Sequence, residues 1–135
     1  MRASKPYYSL NGSTAFFIGR KPERMRFADG RDVPVKTWRQ AVQMILQDCN
    51  ADPACHEKLL RLCDTSIIGG RKRGILCSDP KGMDSPVQIG DSLYFEGHFG
   101  TEYLLLMARR TLDLAGYDYK GIHFQLRERE LDLSL

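Results

Sequence analysis

The dipeptide Asp29-Gly30 narrows the folds open to this chain more than any other feature. It separates residues 25–28 from residues 31–35, and an Asp-Gly step between two such runs closes a β-hairpin. In that hairpin Met25, Phe27, Val33 and Val35 share one face, while Arg24, Arg26 and Asp32 share the other. Pro34 lacks a ladder donor, which places the second strand at an edge or near its end. Directly behind it, Thr37-Trp38-Arg39-Gln40 reads as a capping box. Thr37 can accept from the third amide and Gln40 can reach back. A hairpin feeding a helix excludes an all-helical fold.

The rest of the pattern follows the same grammar. Trp38, Ala41, Val42, Ile45, Leu46 and Cys49 recur at helical spacing. Asp52-Pro53 restarts a helix with an N-cap and a first-turn proline, and Leu59, Leu60, Leu62 and Cys63 supply its apolar side. Residues 15–19 (AFFIG) read as a strand, as do residues 71–78 and 93–99, with turn-rich SDPKGMDSP between the last two. The segment TEYLLLMARRTLDLAG forms a helix from Thr101, with Tyr103, Leu104, Met107, Ala108 and Leu112 on its apolar band and Gly116 as its cap. Three consecutive leucines, 104 to 106, cannot face one side. Either this helix is central, the favoured reading, or part of it makes a homodimer or partner contact. Residues 122–126 alternate as a closing strand. The order β-β-β-α-α-β-β-α-β predicts an α+β fold, a mostly antiparallel sheet with helices on one face.

With 135 residues, the chain has room for one core. No repeat or linker divides it, so residues 14–126 read as a single domain, preceded by a polar arm (1–13) and followed by a polar tail (127–135). No apolar run is long enough to span a bilayer. No apolar core with a cleavage site marks the N-terminus. Cys49, Cys55, Cys63 and Cys77 sit among apolar neighbours and read as reduced core residues, which fits a cytoplasmic protein.

The formal charge is only +3, but the positive residues are grouped. Arg20, Lys21, Arg24 and Arg26 form one cluster in GRKPERMR, and Arg71, Lys72 and Arg73 form another in GGRKRG. Residues 20–39 hold seven Lys/Arg against Glu23, Asp29 and Asp32. Cations on or beside strands make a fixed positive surface suited to phosphates. Alternating strand arginines lie roughly 6–7 Å apart, and Tyr7, Tyr8 or Tyr94 could stack on an unpaired base. The expected partner is DNA or RNA, contacted by Arg20, Lys21, Arg24, Arg26, Arg71, Lys72, Arg73 and Tyr94. A charge run can also be no more than a solvated face, or dock an acidic protein groove.

Other chemistries are thinly represented. Cys49, Cys55, His56 and Cys63 give C-x5-C-H-x6-C, which lacks the paired spacing of structural zinc, so no metal and no cofactor is expected. Glu96 and His98 lie two apart on one expected strand, as a base and its orienter might, with Cys77 and His123 as further pieces. A polar strand face is the commoner reason for such a pair, and no enzyme is expected. GGRKRG lacks the order of a phosphate loop and precedes a strand.

The landmarks VKTW at Trp38, GRKRGIL, the proline-marked loop SPVQIG, then LYFEGHF leading into TEYLLLMARRTLDLAGYD carry a resemblance. Over roughly residues 14–126 the chain resembles small α+β modules found alone or at the ends of bacterial restriction, defence and mobile-element proteins. The resemblance implies prokaryotic defence or its viral opponents, and it brings no catalytic residues. The expected function is a nucleic-acid-binding module of such a system. The alternative is a small phage-type inhibitor, an anti-CRISPR or other anti-defence protein, that binds and blocks a nucleic-acid-processing protein. Tyr94 and Phe95 would serve as its aromatic anchors.

Overall fold

Where the Asp29-Gly30 turn was expected, Phe27 N–H donates to Arg31 O at 2.7 Å and Gly30 N–H to Phe27 O at 3.0 Å. Gly30 takes φ +97°, the left-handed position that completes a three-residue hairpin loop. The computed structural model containing this hairpin describes residues 5–69 and 74–128. In chain order it holds β1 (Tyr8–Ser9), a 3₁₀ turn (Thr14–Phe17), β2 (Pro22–Arg26), β3 (Asp32–Pro34), α1 (Trp38–Ala51) and α2 (Pro53–Leu62). Then come β4 (Leu76–Cys77), β5 (Pro86–Gly90), β6 (Leu93–Glu96), α3 (Thr101–Ala115) and β7 (His123–Leu126). The fold is α+β.

The strands form two antiparallel sheets, ordered β1-β7-β2-β3 and β4-β6-β5, where one sheet was expected. β3 is an edge strand, as Pro34 requires. In the first sheet Tyr8, Phe124, Met25 and Val33 align across the strands on the core side. In the second, Leu76, Phe95 and Val87 do the same and all three are buried. α1 packs on both β2 and β5, which joins the two layers around one apolar core. Its start is capped as expected: Thr37 Oγ1 accepts from Gln40 N–H at 3.0 Å, and the Gln40 side chain reaches back to Lys36 N–H at 2.8 Å. Asp52 accepts from Cys55 N–H at 2.9 Å at the start of α2. α3 ends at Gly116, whose φ of +76° suits the left-handed cap.

Several expectations need correction. Residues 15–19 are not a strand. Phe16, Ile18 and Arg20 donate their amides to Ser13 O, Ala15 O and Phe17 O, so the segment closes tight local turns. SPVQIG is not a loop, because β5 runs through it with Val87 and Ile89 buried and Pro86 and Gln88 exposed. Proline at the first residue of an edge strand loses no ladder bond. The strand expected at 71–78 is described only at β4, since residues 70–73 lie outside the described residues, and the strand expected at 93–99 stops at Glu96. The N-terminal arm docks through β1. Leu60 and Tyr103, placed on apolar bands by spacing, are exposed, whereas Leu104 and Leu105 are buried and Leu106 points out.

Trp38 is buried, as its position on the α1 stripe predicts. Its ring lies 4.9 Å from Phe17 and 5.0 Å from Phe124, and its Nε1–H donates to Arg20 O at 2.7 Å. β7 enters the sheet beside β2 and brings Phe124 under the indole, a pairing that no local pattern reveals.

Candidate nucleic-acid interface

The outward side of the four-stranded sheet is built from residues that alternate with the core row. Ser9, His123, Arg26 and Asp32 form one outward row, and Gln125, Arg24 and Pro34 the next. Arg24 and Arg26 are therefore strand-borne on one face, as expected. Asp32 sits between them, 2.7 Å from Arg24 Nε and 3.5 Å from Arg26 Nε. Tyr7 closes the group, donating its hydroxyl to Asp32 at 2.6 Å while the Arg26 guanidinium lies 3.8 Å over its ring. The Tyr7 hydrogen bond, then that of Arg24, holds the Asp32 carboxyl below the usual carboxylate range. The same contact with Asp32 raises both Tyr7 and Arg24. These two arginines are thus partly neutralised by the hairpin that presents them.

At the end of this face the situation differs. Arg20 and Lys21 precede β2, and Arg127 N–H donates to Lys21 O at 2.9 Å as β7 runs out alongside. Among the described residues, none of these three side chains has a carboxylate partner. The Arg20 guanidinium lies 5.0 Å over Phe16 and 5.9 Å over Tyr8, and its buried Nε has no hydrogen-bond partner among the described residues. Two clefts meet here. One, of about 170 Å³, is lined by Lys5, Tyr8, Arg20, Arg127 and Glu128 among others. The other, of about 250 Å³, is lined by Tyr8, Ser9, Gly12, Ser13, Phe16 and Phe17. Tyr8 belongs to both.

The remaining candidates fall elsewhere. Tyr94 is half-buried on the central strand of the other sheet, opposite Cys77 and Gln88, and lines neither cleft. Phe95 is fully buried and cannot anchor a partner. Arg71, Lys72 and Arg73 lie outside the described residues. Glu96 and His98 do not share a strand face, because the strand ends at Glu96 and His98 is exposed beyond it. The buried Glu96 carboxylate instead accepts from the amides of Asp84 (2.9 Å), Ser85 (2.8 Å) and His98 (3.2 Å). That is a structural anchor for the loop leading into β5.

The cysteines follow their burial. It pushes Cys49 and Cys55 up, and Cys63 up to about 11 with help from Asp64, so none of the three is poised as a thiolate. The described residues contain no cluster of three His, Cys, Asp or Glu placed to hold a metal. None of their helices is long and apolar enough to cross a membrane.

Comparison of the chain with family models, with curated proteins and with solved structures finds no match. Two residues of the cationic end were missed by sequence reasoning. Arg127 was hidden in the charge-balanced RERE, and only the pairing of β7 with β2 carries it to Lys21. Phe16 falls within the strand expected at residues 15–19, whereas the 3₁₀ turn leaves it 42% exposed.

Proposed function

We propose that the protein is a non-enzymatic nucleic-acid-binding module whose phosphate contacts centre on Arg20, Lys21 and Arg127, flanked by Arg24 and Arg26. One observation carries this reading. Three cations without a carboxylate partner among the described residues are gathered at one end of a sheet face that already displays two strand-borne arginines. An unpaired cation held beside a rigid sheet is free to replace counterions on a phosphate chain. Arg71, Lys72 and Arg73 join the reading from sequence, and service in a prokaryotic defence or mobile-element system rests on the landmark resemblance. In a fluorescence-anisotropy titration, affinity falls steeply as salt rises from about 50 to 200 mM. The double variant Lys21→Ala, Arg127→Ala lowers affinity about equally for all sequences and reduces the salt slope by about two. Absence of binding to any duplex or single strand at low salt refutes the proposal.

A second reading draws on a different surface. Tyr103, Leu106 and Leu114 of α3 are each nearly 40% exposed and fall along one side of the helix. That stripe favours a phage-type inhibitor that blocks a nucleic-acid enzyme through protein contact. A stoichiometric effector complex that survives nuclease treatment and is lost in Leu106→Glu would select it.

A further inference from the structure

We propose that the two clefts meeting at Tyr8 form a site for one unpaired nucleotide, so that the module takes single strands in preference to duplex. This rests on the nucleic-acid reading above and specifies its substrate.

The two clefts are chemically complementary halves. The larger is walled by Tyr8, Phe16 and Phe17, with the Tyr8 and Phe16 rings 4.8 Å apart and tilted by 43°. Phe16 is 42% exposed, with Arg20 over its ring and Tyr8 and Phe17 against it. In a duplex the base faces are covered by their stacked neighbours, so such walls serve only a base that has left the stack. The smaller cleft is cationic. Arg20 and Arg127 line it without carboxylate partners among the described residues, while Lys5 is paired to Glu23 at 2.9 Å and Glu128 offsets part of the charge.

Arg20 ties the halves together. Its guanidinium lies against Phe16 and Tyr8, the rings of the apolar cleft, while it lines the cationic one. Its main chain is fixed by Trp38, which donates to Arg20 O, and its buried Nε has no hydrogen-bond partner among the described residues. A nucleotide offers what both halves lack, an apolar face for the rings and a phosphate for the free donors. Stacking on the rings requires no particular base, so the site discriminates strandedness rather than sequence.

The test uses the full chain, a labelled short single strand and the same sequence as a duplex, at about 50 mM salt. The single strand binds at least about tenfold tighter, and Phe16→Ala weakens it by about 5- to 150-fold, the range seen when a stacking aromatic is truncated. Phe16→Leu keeps the apolar contact to its neighbours but removes the stacking face, so it weakens single-strand binding while the melting temperature stays near that of the parent. Arg20→Ala weakens the single strand and lowers its salt slope by about one. Equal affinity for duplex and single strand overturns the nucleotide site and leaves the nucleic-acid reading standing. The same holds if the Phe16 and Arg20 variants bind a single strand like the parent. No binding to either form overturns both.

Discussion

On the three-stranded sheet, polar side chains are engaged inward. Glu96 gathers the amides of Asp84, Ser85 and His98, and α1 covers the β5 edge, with Gln43 donating to Gln88 O at 3.0 Å and Asn50 to Ile89 O at 3.3 Å. On the four-stranded sheet, Arg24 and Arg26 are clamped by Asp32 and Tyr7, but Arg20, Lys21 and Arg127 at its end keep no such partner among the described residues. The difference teaches that a polar residue becomes available for function according to the partner that the topology delivers. Charge density along the chain is a poor guide. GRKPERMR reads as one cluster in sequence, and the hairpin divides it into a pair clamped by Asp32 and a pair with no carboxylate partner among the described residues.

The largest expected effect comes from removing what supports the free end. Trp38 holds Arg20 O through Nε1 and packs on Phe17 and Phe124. Trp38→Ala truncates a buried aromatic and is expected to cost about 3–5 kcal/mol, a large share of a small domain's stability. Calorimetry or chemical denaturation should show an unfolded or molten chain with all binding lost. A variant that melts like the parent and loses only binding would make Trp38 a contact residue, and the two-region picture would fail.

What was legible in sequence, and what was not, follows the range of the interactions. The hairpin, both helix N-caps and the Gly116 terminus are set by residues within a few positions of one another, and all were readable from Asp29-Gly30, Thr37 to Gln40, Asp52-Pro53 and LAG. The split into two sheets, the place of β7 beside β2 and the partners of Trp38 depend on contacts between distant residues, which no periodicity encodes. The same divide runs through the site. Arg20, Lys21, Arg24 and Arg26 were visible as a cluster, whereas Arg127 joins it across more than a hundred residues. Glu96 and His98 lie two apart on one expected strand face, but the strand ends at Glu96, and its amide partners Asp84 and Ser85 come from a loop that the sequence shows only as turns.

A smaller effect tests the other side of the comparison. Glu96→Gln preserves shape but turns one acceptor oxygen into a donor amide facing main-chain N–H groups. With the carboxylate buried, the substitution should destabilise the fold by about 1–3 kcal/mol. Nucleic-acid affinity measured below the melting transition should not change. Lost binding at an unchanged melting temperature would place Glu96 in a functional site and break the distinction between the two sheets.

The smallest effect lies at the clamp itself. Because Tyr7 and Arg24 hold the Asp32 carboxyl below its ordinary value of 3.8, Asp32 adds stability that is present above that value and is lost as pH falls through the lowered one. Asp29, Asp52 and Asp64 are held low by their own hydrogen bonds and act in the same direction. Only the difference between the parent and Asp32→Asn therefore isolates the clamp, and it should appear as a slightly flatter loss of stability in acid. At neutral pH the same substitution removes the carboxylate that pairs with Arg24 and Arg26 among the described residues. Both arginines would join the free cations, tightening binding a few-fold and steepening the salt slope by about one. If Asp32→Asn weakens binding instead, the clamped arrangement of Tyr7, Arg24 and Arg26 is itself the contact surface. The boundary between neutralised and available charge would then lie on the other side of Asp32.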